Sequence, residues 1–137
     1  MNAGQKLEIQ EVLSRAAYAF DQRDLEMLTG CFAEDARMLV RIADGREFGP
    51  FEGREAIMGL MKSTLESQTD TRRHIISNFV FEHAGDREAR VISQIVLAAT
   101  EEGQIRLITS GIYRDLMRLE GDRWQISERR LDLELGF

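Results

Sequence analysis

The stretch Thr71-Arg-Arg-His-Ile-Ile-Ser-Asn-Phe-Val-Phe-Glu82 decides the fold, because its alternating pattern is typical of a β-strand. Side chains of a strand alternate between its two faces. One predicted face carries His74, Ile76, Asn78 and Val80, and the other carries Ile75, Ser77, Phe79 and Phe81. The first face offers an imidazole and an amide among aliphatic side chains. We therefore expect the rest of the chain to enclose this face, and a second layer or a partner chain to cover the other.

Four long strands are predicted between this stretch and the end of the chain. Each of the three connections combines a glycine with an acidic neighbour, which is typical of hairpin turns. The four strands are therefore expected to form an antiparallel meander. They are predicted over residues 72–83, 88–100, 104–119 and 123–133.

The N-terminal half is predicted to contain three helices and a short hairpin. Apolar residues spaced three and four apart predict the first helix over residues 5–21. Asp24 is a candidate N-cap for a second helix, 25–31. A hairpin of strands 37–43 and 46–52 precedes the third helix, which is expected to open at Gly53 and to end near Ser67. Helices followed by a run of strands predict one α+β domain, residues 1–137, with a pocket between its layers.

Composition excludes several classes of partner. The chain has 137 residues, 43% of them hydrophobic and 31% charged, as expected for a single globular domain. The net charge of −6 disfavours nucleic acid as a partner. No apolar run is long enough for a membrane span, and the N-terminus lacks the apolar core of a signal peptide. With one cysteine, Cys31, which has no internal disulfide partner, these features predict a cytoplasmic protein that binds no membrane.

The sequence contains no motif for a metal or a cofactor. Its two histidines and one cysteine lack the spacing of metal ligands. The glycine patterns of phosphate-binding and dinucleotide-binding loops are absent. We therefore expect a site that contains no metal and uses no cofactor, with a small molecule as its ligand.

Six short stretches stand in a characteristic order along nearly the whole chain. They are Tyr18-Ala-Phe-Asp-Gln-Arg-Asp24, Phe32-Ala-Glu-Asp-Ala36, Phe51-Glu-Gly-Arg-Glu-Ala-Ile57, His74-Ile-Ile-Ser-Asn78, Gly111-Ile-Tyr-Arg-Asp115 and Trp124-Gln-Ile-Ser-Glu-Arg129. Their order and spacing resemble the SnoaL-like family of the nuclear transport factor 2-like superfamily. The resemblance implies a cone-shaped, curved antiparallel sheet (an α+β barrel) with three N-terminal helices that enclose an apolar cavity. It also implies a homodimer, for which the candidate interface residues are Phe79, Phe81, Val91, Ile95 and Leu97.

A narrower likeness points to a catalytic pair. Scytalone dehydratase and hexachlorocyclohexane dehydrochlorinase pair an aspartate late in the first helix with a histidine on the strand after the third helix. The matching positions here are Asp21 and His74. The resemblance implies that His74 is a general base and that Asp21 orients it. The further cavity tyrosines and the second histidine of scytalone dehydratase have no match, so its substrate is not implied.

The chemistry of this pair suits proton transfer to and from carbon. Imidazole titrates near physiological pH, so it can remove a proton and return it, and a buried carboxylate fixes its tautomer. The predicted function is a cofactor-independent lyase or isomerase (dehydratase, cyclase or isomerase type) that acts on a small apolar, for example cyclic, substrate. In the alternative interpretation, His74 is a structural residue that Asp21 satisfies, or Asp21 caps the second helix.

Three more residues are candidates for substrate binding. Tyr18 either donates a hydrogen bond to a substrate oxygen or forms a wall of the cavity. Asn78 either binds an oxygen or bonds to a neighbouring strand or to the histidine. Arg130 either reaches an anionic ligand or forms a salt bridge with Glu128 or Glu134. These assignments depend on register, because one β-bulge swaps the two faces of a strand.

Two other functions fit the same fold. One is a non-catalytic module for ligand binding or dimerisation, and the presence of both Asp21 and His74 favours an enzyme over it. The other is an accessory subunit resembling the β-subunit of ring-hydroxylating dioxygenases. The chain is shorter than we expect for that subunit, which disfavours this interpretation.

Overall fold

The computed structural model describes residues 1–137, which form three helices and six strands in one curved sheet. The elements are α1 (Ala3–Asp21), α2 (Leu25–Gly30), β1 (Phe32–Ile42), β2 (Glu47–Glu52), α3 (Arg54–Ser67), β3 (Thr71–Ala84), β4 (Glu88–Glu101), β5 (Gln104–Glu120) and β6 (Arg123–Leu133). The strand order is β2-β1-β6-β5-β4-β3. The predicted α+β fold is confirmed, including the meander of the last four strands.

The first two helices begin at side chains that cap them. Asn2 and Gln5 form a capping box at α1, in which each side chain accepts from the other residue's backbone amide at 2.9 Å. Asp24 accepts from the amide of Met27 at 3.0 Å, so its predicted role as the N-cap of α2 is confirmed. No helix combines the length and the apolar composition needed to cross a bilayer.

Strand β1 begins five residues earlier than predicted. Phe32, Ala33 and Ala36 are fully buried in it, and Phe32 pairs with Ile126 of β6. This pairing is parallel and joins the N-terminal hairpin of β1 and β2 to the meander of the last four strands, whereas the other strand pairs of the sheet are antiparallel, as predicted. Turn signals do not reveal the pairing, because the two strands are far apart in sequence.

Helices α1 and α3 cover the inner face of the sheet and form the core with it. Each helix turns a stripe of small and aliphatic side chains inward. Burial of one large aliphatic side chain contributes about 1.5–3 kcal/mol, so this layer contact is the main source of stability. The buried members are Ile9, Leu13, Ala16 and Ala19 of α1, Ile57 and Met61 of α3, and Val91, Ile95, Met117 and Ile126 of the sheet.

Two β-bulges change which side chains face the core. The first lies between Ser77 and Val80, where Asn78 has a φ of 56°. Beyond it Phe79 packs against the core, whereas Val80 is exposed. The face predicted for Phe79, Val80 and Phe81 was therefore wrong. The second bulge is at Ser127, because Leu116 pairs with Glu128 and Met117 with Ile126; it turns Arg129 inward and Arg130 outward.

The outer face of the sheet differs from the predicted one in consequence. All five predicted interface residues face inward: Val91, Ile95 and Leu97 are buried, and Phe79 and Phe81 pack against the core. Other apolar side chains take the outer positions on β3, β4 and β5. The exposed ones are Ile75, Val80, Val96, Ile105 and Leu107.

Candidate functional site

The predicted pair of Asp21 and His74 meets where α1 ends against β3. Asp21 is the last residue of α1, and His74 is the fourth residue of β3. The Oδ1 of Asp21 lies 2.6 Å from the Nδ1 of His74, and its Oδ2 accepts from the backbone amide of His74 at 2.9 Å. Only 7% of the Asp21 side chain and 14% of the His74 side chain are exposed. The structure thus brings together the two residues of the predicted dyad.

The turn after Asp21 is fixed to the end of α3. Arg23 has a φ of 59°, and its guanidinium donates to the carbonyl oxygens of Leu65 at 2.8 Å and Gln68 at 3.0 Å. Asp21 stands at a helix C-terminus, where the helix dipole disfavours negative charge. The two donors of His74 offset this cost. The position of the carboxylate is therefore explained by the histidine rather than by the helix.

His74 lines a cavity between the helices and the sheet. The space open to the centre of a water-sized molecule is about 70 Å³, which is room for a few waters or a small ligand, since one water needs about 10–15 Å³ by this measure. Its walls are mostly apolar, and the ring of Phe20 lies 5.0 Å from that of His74. The walls include Ala16 and Ala17 of α1, Leu60 and Met61 of α3, and Ile95 and Leu97 of β4.

A buried ion pair that the sequence did not reveal lies beside this cavity. Arg129 donates to both carboxylate oxygens of Asp115, from Nε at 2.8 Å and from a terminal nitrogen at 3.1 Å. Its guanidinium carbon lies 4.0 Å from the ring centroid of Tyr113, a cation–π contact. Arg129 and Tyr113 both line the cavity. Their motifs are visible in the sequence, but the bulge at Ser127, which decides that Arg129 faces inward, is not.

Burial sets the protonation of this group. Burial raises the pKa of the Tyr113 hydroxyl, and the neighbouring Arg129 opposes this only in part. Burial also acts to lower the pKa of Arg129, but Asp115 and Tyr113 more than compensate, and the pKa is raised. The cavity wall therefore carries a neutral phenol above a paired guanidinium.

Arg72 is a second arginine at the cavity, and it is incompletely paired. Its Nε donates to Oδ1 of Asp70 at 2.7 Å. Its Nη1 is buried and has no hydrogen-bond partner. An unsatisfied buried donor costs about 1–3 kcal/mol, and more when it is charged. Arg72 precedes His74 by two residues on β3, so both side chains point to the cavity side of the sheet.

The three predicted substrate-binding residues lie away from the cavity. Tyr18 is 60% exposed, because Ala17 and Phe20 take the cavity side of α1. Asn78 is exposed at the first bulge and donates to the side chain of Gln94. Arg130 is exposed beyond the second bulge. None of the three lines the cavity, and for Asn78 the alternative of a hydrogen bond to a neighbouring strand is confirmed, because Gln94 belongs to β4.

The partners of Arg130 also differ from the expected ones. It forms a salt bridge with Asp132 at 3.0 Å rather than with Glu128 or Glu134.

No three histidine, cysteine, aspartate or glutamate side chains of the chain lie close enough together to hold a metal ion.

Solved structures with the same architecture are numerous and distant in sequence. A protein of unknown function with a cystatin-like fold from Nostoc punctiforme is 22% identical, with a TM-score of 0.81 over 98% of this chain and 94% of that one. A nuclear transport factor 2-like protein from Novosphingobium aromaticivorans is 19% identical, with a TM-score of 0.78 over 93% and 80%. A third, described as the β subunit of an aromatic-ring-hydroxylating dioxygenase from the same organism, is 15% identical, with a TM-score of 0.83 over 99% and 94%.

Fold and site together define a small α+β domain whose curved sheet and helices enclose an apolar cavity with a histidine–carboxylate pair in its wall. The sequence profile of the SnoaL-like domain matches residues 2–130. The chain therefore belongs to the SnoaL-like domain family, with the nuclear transport factor 2-like fold. No curated protein sequence matches it.

Proposed function

We propose that the protein is a cofactor-independent lyase or isomerase that acts on a small apolar substrate by general acid–base catalysis. The observation that carries this proposal is the 2.6 Å contact between Asp21 and Nδ1 of His74 in the wall of the cavity. Asp21 engages Nδ1, which leaves Nε2 as the nitrogen available to a substrate. The same two positions match the catalytic pair of scytalone dehydratase and hexachlorocyclohexane dehydrochlorinase.

The proton transfers follow from this geometry. With Asp21 ionised, the neutral imidazole carries its proton on Nδ1 and its lone pair on Nε2. Nε2 removes a proton from a substrate carbon next to a carbonyl or a leaving group, and Asp21 stabilises the imidazolium that forms. The imidazolium then returns the proton to another carbon in an isomerisation, or to the leaving group in an elimination. Such a group contributes roughly 100- to 10,000-fold to the rate.

The cavity supports an apolar substrate. Most of the residues that line it are hydrophobic, and burial of an apolar body contributes about 25 cal/mol per Å². The exclusion of water from such a site also strengthens the interaction between the carboxylate and the imidazolium. These conditions favour transfer of a proton from carbon over hydrolysis.

Solvent hydrogen exchange tests the proposal without knowledge of the physiological substrate. The protein is incubated in deuterium oxide with a panel of small cyclic ketones, and deuterium at the α-carbon is followed by NMR. We expect exchange with the native protein and its loss in His74→Ala and Asp21→Asn. His83→Ala, at the exposed second histidine, is the matched control and retains exchange. Exchange that survives both dyad substitutions would reject the dyad, and the absence of exchange with the native protein would favour a non-catalytic binding module.

We also propose that the protein is a homodimer that buries the outer face of β3, β4 and β5. Five apolar side chains are exposed there: Ile75, Val80, Val96, Ile105 and Leu107. Ile75 pairs directly with Val96, and Leu107 pairs with Ala98 two positions further along β4, so these side chains are contiguous. Val80 pairs with Ile92 on the other side of Gln94. Contiguous apolar surface of this kind is typical of protein interfaces.

A further inference from the structure

A side chain that lines the cavity has a buried hydrogen-bond donor that nothing in the protein satisfies. Nη1 of Arg72 is buried without a partner, although Nε of the same side chain donates to Asp70 at 2.7 Å. The other arginine of the cavity, Arg129, makes two hydrogen bonds to the carboxylate of Asp115 and lies against the ring of Tyr113. Of the two, Arg72 is the arginine whose guanidinium has a buried terminal nitrogen without a partner. Arginine suits a role in ligand binding, because its planar fork binds oxygen acceptors directionally.

The surroundings of Arg72 place it at the polar end of the cavity. Thr64 and Gln68, near the end of α3, line the cavity together with Arg72, whereas most of the other walls are apolar. The exposed Phe137 lies at the same end, beside Thr64, Gln68 and Arg72. A ligand with an apolar body and one oxygen acceptor therefore fits with its oxygen toward Arg72 and its body toward the aliphatic walls.

We propose that Arg72 binds the carbonyl oxygen of the substrate, so that the substrate class is a small apolar carbonyl compound. Arg72 and His74 are two residues apart on β3, which corresponds to roughly 6.6 Å along the strand. A hydrogen bond of about 2.9 Å to the oxygen, the O=C–C unit, and a contact of about 3–3.5 Å from the base to the adjacent carbon together exceed this separation, so the ligand lies above the strand, in the cavity that both side chains line. The two side chains can therefore hold the two ends of one C–C=O unit.

The reaction that follows balances without a co-reactant. Nε2 of His74 takes the proton from the carbon next to the carbonyl, and the electron pair of that C–H bond forms a C=C bond. The carbonyl π pair moves to the oxygen, which becomes an enolate beside the Arg72 guanidinium. In a substrate with a β,γ-double bond, collapse of the enolate takes the proton back from the imidazolium at the γ-carbon; in a substrate with a β-leaving group, collapse expels that group, which takes the proton. A guanidinium beside the oxygen lowers the barrier, because the negative charge develops there. This step rests on the proposed function, whereas oxygen binding by Arg72 does not.

Binding of a phenolate measures the oxygen site without turnover. Ionised 4-nitrophenol carries an oxyanion on a flat apolar ring, as the enolate does, and nitrobenzene has the same ring and nitro group without that oxygen. We expect the native protein to bind 4-nitrophenolate in calorimetric titration, and Arg72→Met to bind it about 10- to 100-fold more weakly. Nitrobenzene should bind both proteins equally, because it offers no phenolate oxygen to Arg72.

Arg73→Met is the matched control, because Arg73 is the next residue of the strand and is exposed. It should bind both probes as the native protein does. If Arg72→Met melts well below the native protein, Arg72→Lys takes its place, and we expect weaker phenolate binding because lysine lacks the planar fork. Equal phenolate binding by the Arg72 and Arg73 variants would overturn the inference, and so would the absence of phenolate binding to the native protein at millimolar concentration. Phenolate binding that depends on Arg72, without any deuterium exchange by the native protein, would instead count against the proposed function and leave the oxygen site standing.

Discussion

The carboxylate of Asp21 holds His74 at two points, the ring and the backbone. Oδ1 lies 2.6 Å from Nδ1, and Oδ2 accepts from the backbone amide at 2.9 Å. The first contact orients the imidazole, and the second fixes the start of β3 against the end of α1. One side chain therefore contacts both the ring of the histidine and the backbone of its strand.

The first prediction concerns the tautomer of His74. An ionised Asp21 can only accept a hydrogen bond from Nδ1 of His74, so the neutral ring should carry its proton on Nδ1 rather than on Nε2. Nitrogen-15 shifts of the two ring nitrogens, from a long-range proton–nitrogen spectrum at neutral pH, distinguish the tautomers. We expect a protonated Nδ1 and a free Nε2.

The control for this measurement is within the same protein. His83 is exposed and serves as an internal reference in the same spectrum. In Asp21→Asn the amide no longer requires a donor at Nδ1, and we expect the shifts of His74 to change while those of His83 stay. A native ring protonated on Nε2 would contradict the proposed role of His74 as a base.

The second prediction concerns the buried pair of Arg129 and Asp115. Arg129→Met leaves the carboxylate buried without its partner, and loss of one member of such a pair typically costs about 3–5 kcal/mol in the free energy of unfolding. Arg130→Met removes the exposed neighbour, whose surface salt bridge with Asp132 contributes at most about 1 kcal/mol. Urea unfolding of the two variants measures both losses. Similar losses would show that the burial of Arg129 has no energetic weight.

The architecture and the contact of Asp21 with His74 were predictable from the sequence, because most of the signals that carry them are short-range. Hydrophobic periodicity, the acidic glycine turns and the Asp24 cap are short-range signals. His74 lies before the first bulge of β3, so the alternation of strand side chains correctly predicted that it faces the cavity. The family resemblance then supplied the pairing of the two residues, which periodicity alone does not give.

The remaining site residues depended on register, which the sequence shows poorly. Arg129 and Arg130 are adjacent and chemically identical, and only the bulge at Ser127 decides which one enters the cavity. Asn78 carried a signal that was available, since asparagine is depleted in strands and tolerates positive φ. These two properties of asparagine predict a bulge at Asn78 rather than a contact with a ligand. The parallel pairing of β1 with β6 has no local signal.

The third prediction tests the bulge at Asn78. Its φ of 56° is strained for a β-branched side chain, so Asn78→Val should lower the free energy of unfolding by about 1–2 kcal/mol. Asn78→Gly, which adopts this conformation freely, should stay within about 1 kcal/mol of the native protein. Ser77→Val, at the exposed preceding residue, is the matched control and should cost less than Asn78→Val. Equal effects of valine at the two positions would argue against the bulge.

The fourth prediction concerns alkaline pH. Burial raises the pKa of Tyr113, so the native protein holds this proton more tightly than the unfolded chain does. The free energy of unfolding should therefore fall as the pH rises above the ordinary tyrosine value of about 10. Urea unfolding at about pH 8 and about pH 11 measures the fall. Tyr113→Phe should show a smaller fall, whereas Tyr18→Phe, at an exposed position, should keep the native one. An undiminished fall in Tyr113→Phe would assign the effect to other groups.

The fifth prediction concerns the outer face of the sheet. Leu107 is 74% exposed there, beside the paired Ile75 and Val96, and glutamate at this position would place a charge inside the proposed interface. We expect the native protein to sediment as a dimer at micromolar concentration and Leu107→Glu to sediment as a monomer, because burial of an unpaired charge is costly. Leu7→Glu is the matched control, since Leu7 is 64% exposed on α1, and it should remain dimeric. A monomeric native protein would reject the dimer, and dissociation by Leu7→Glu alone would move the interface to the helices.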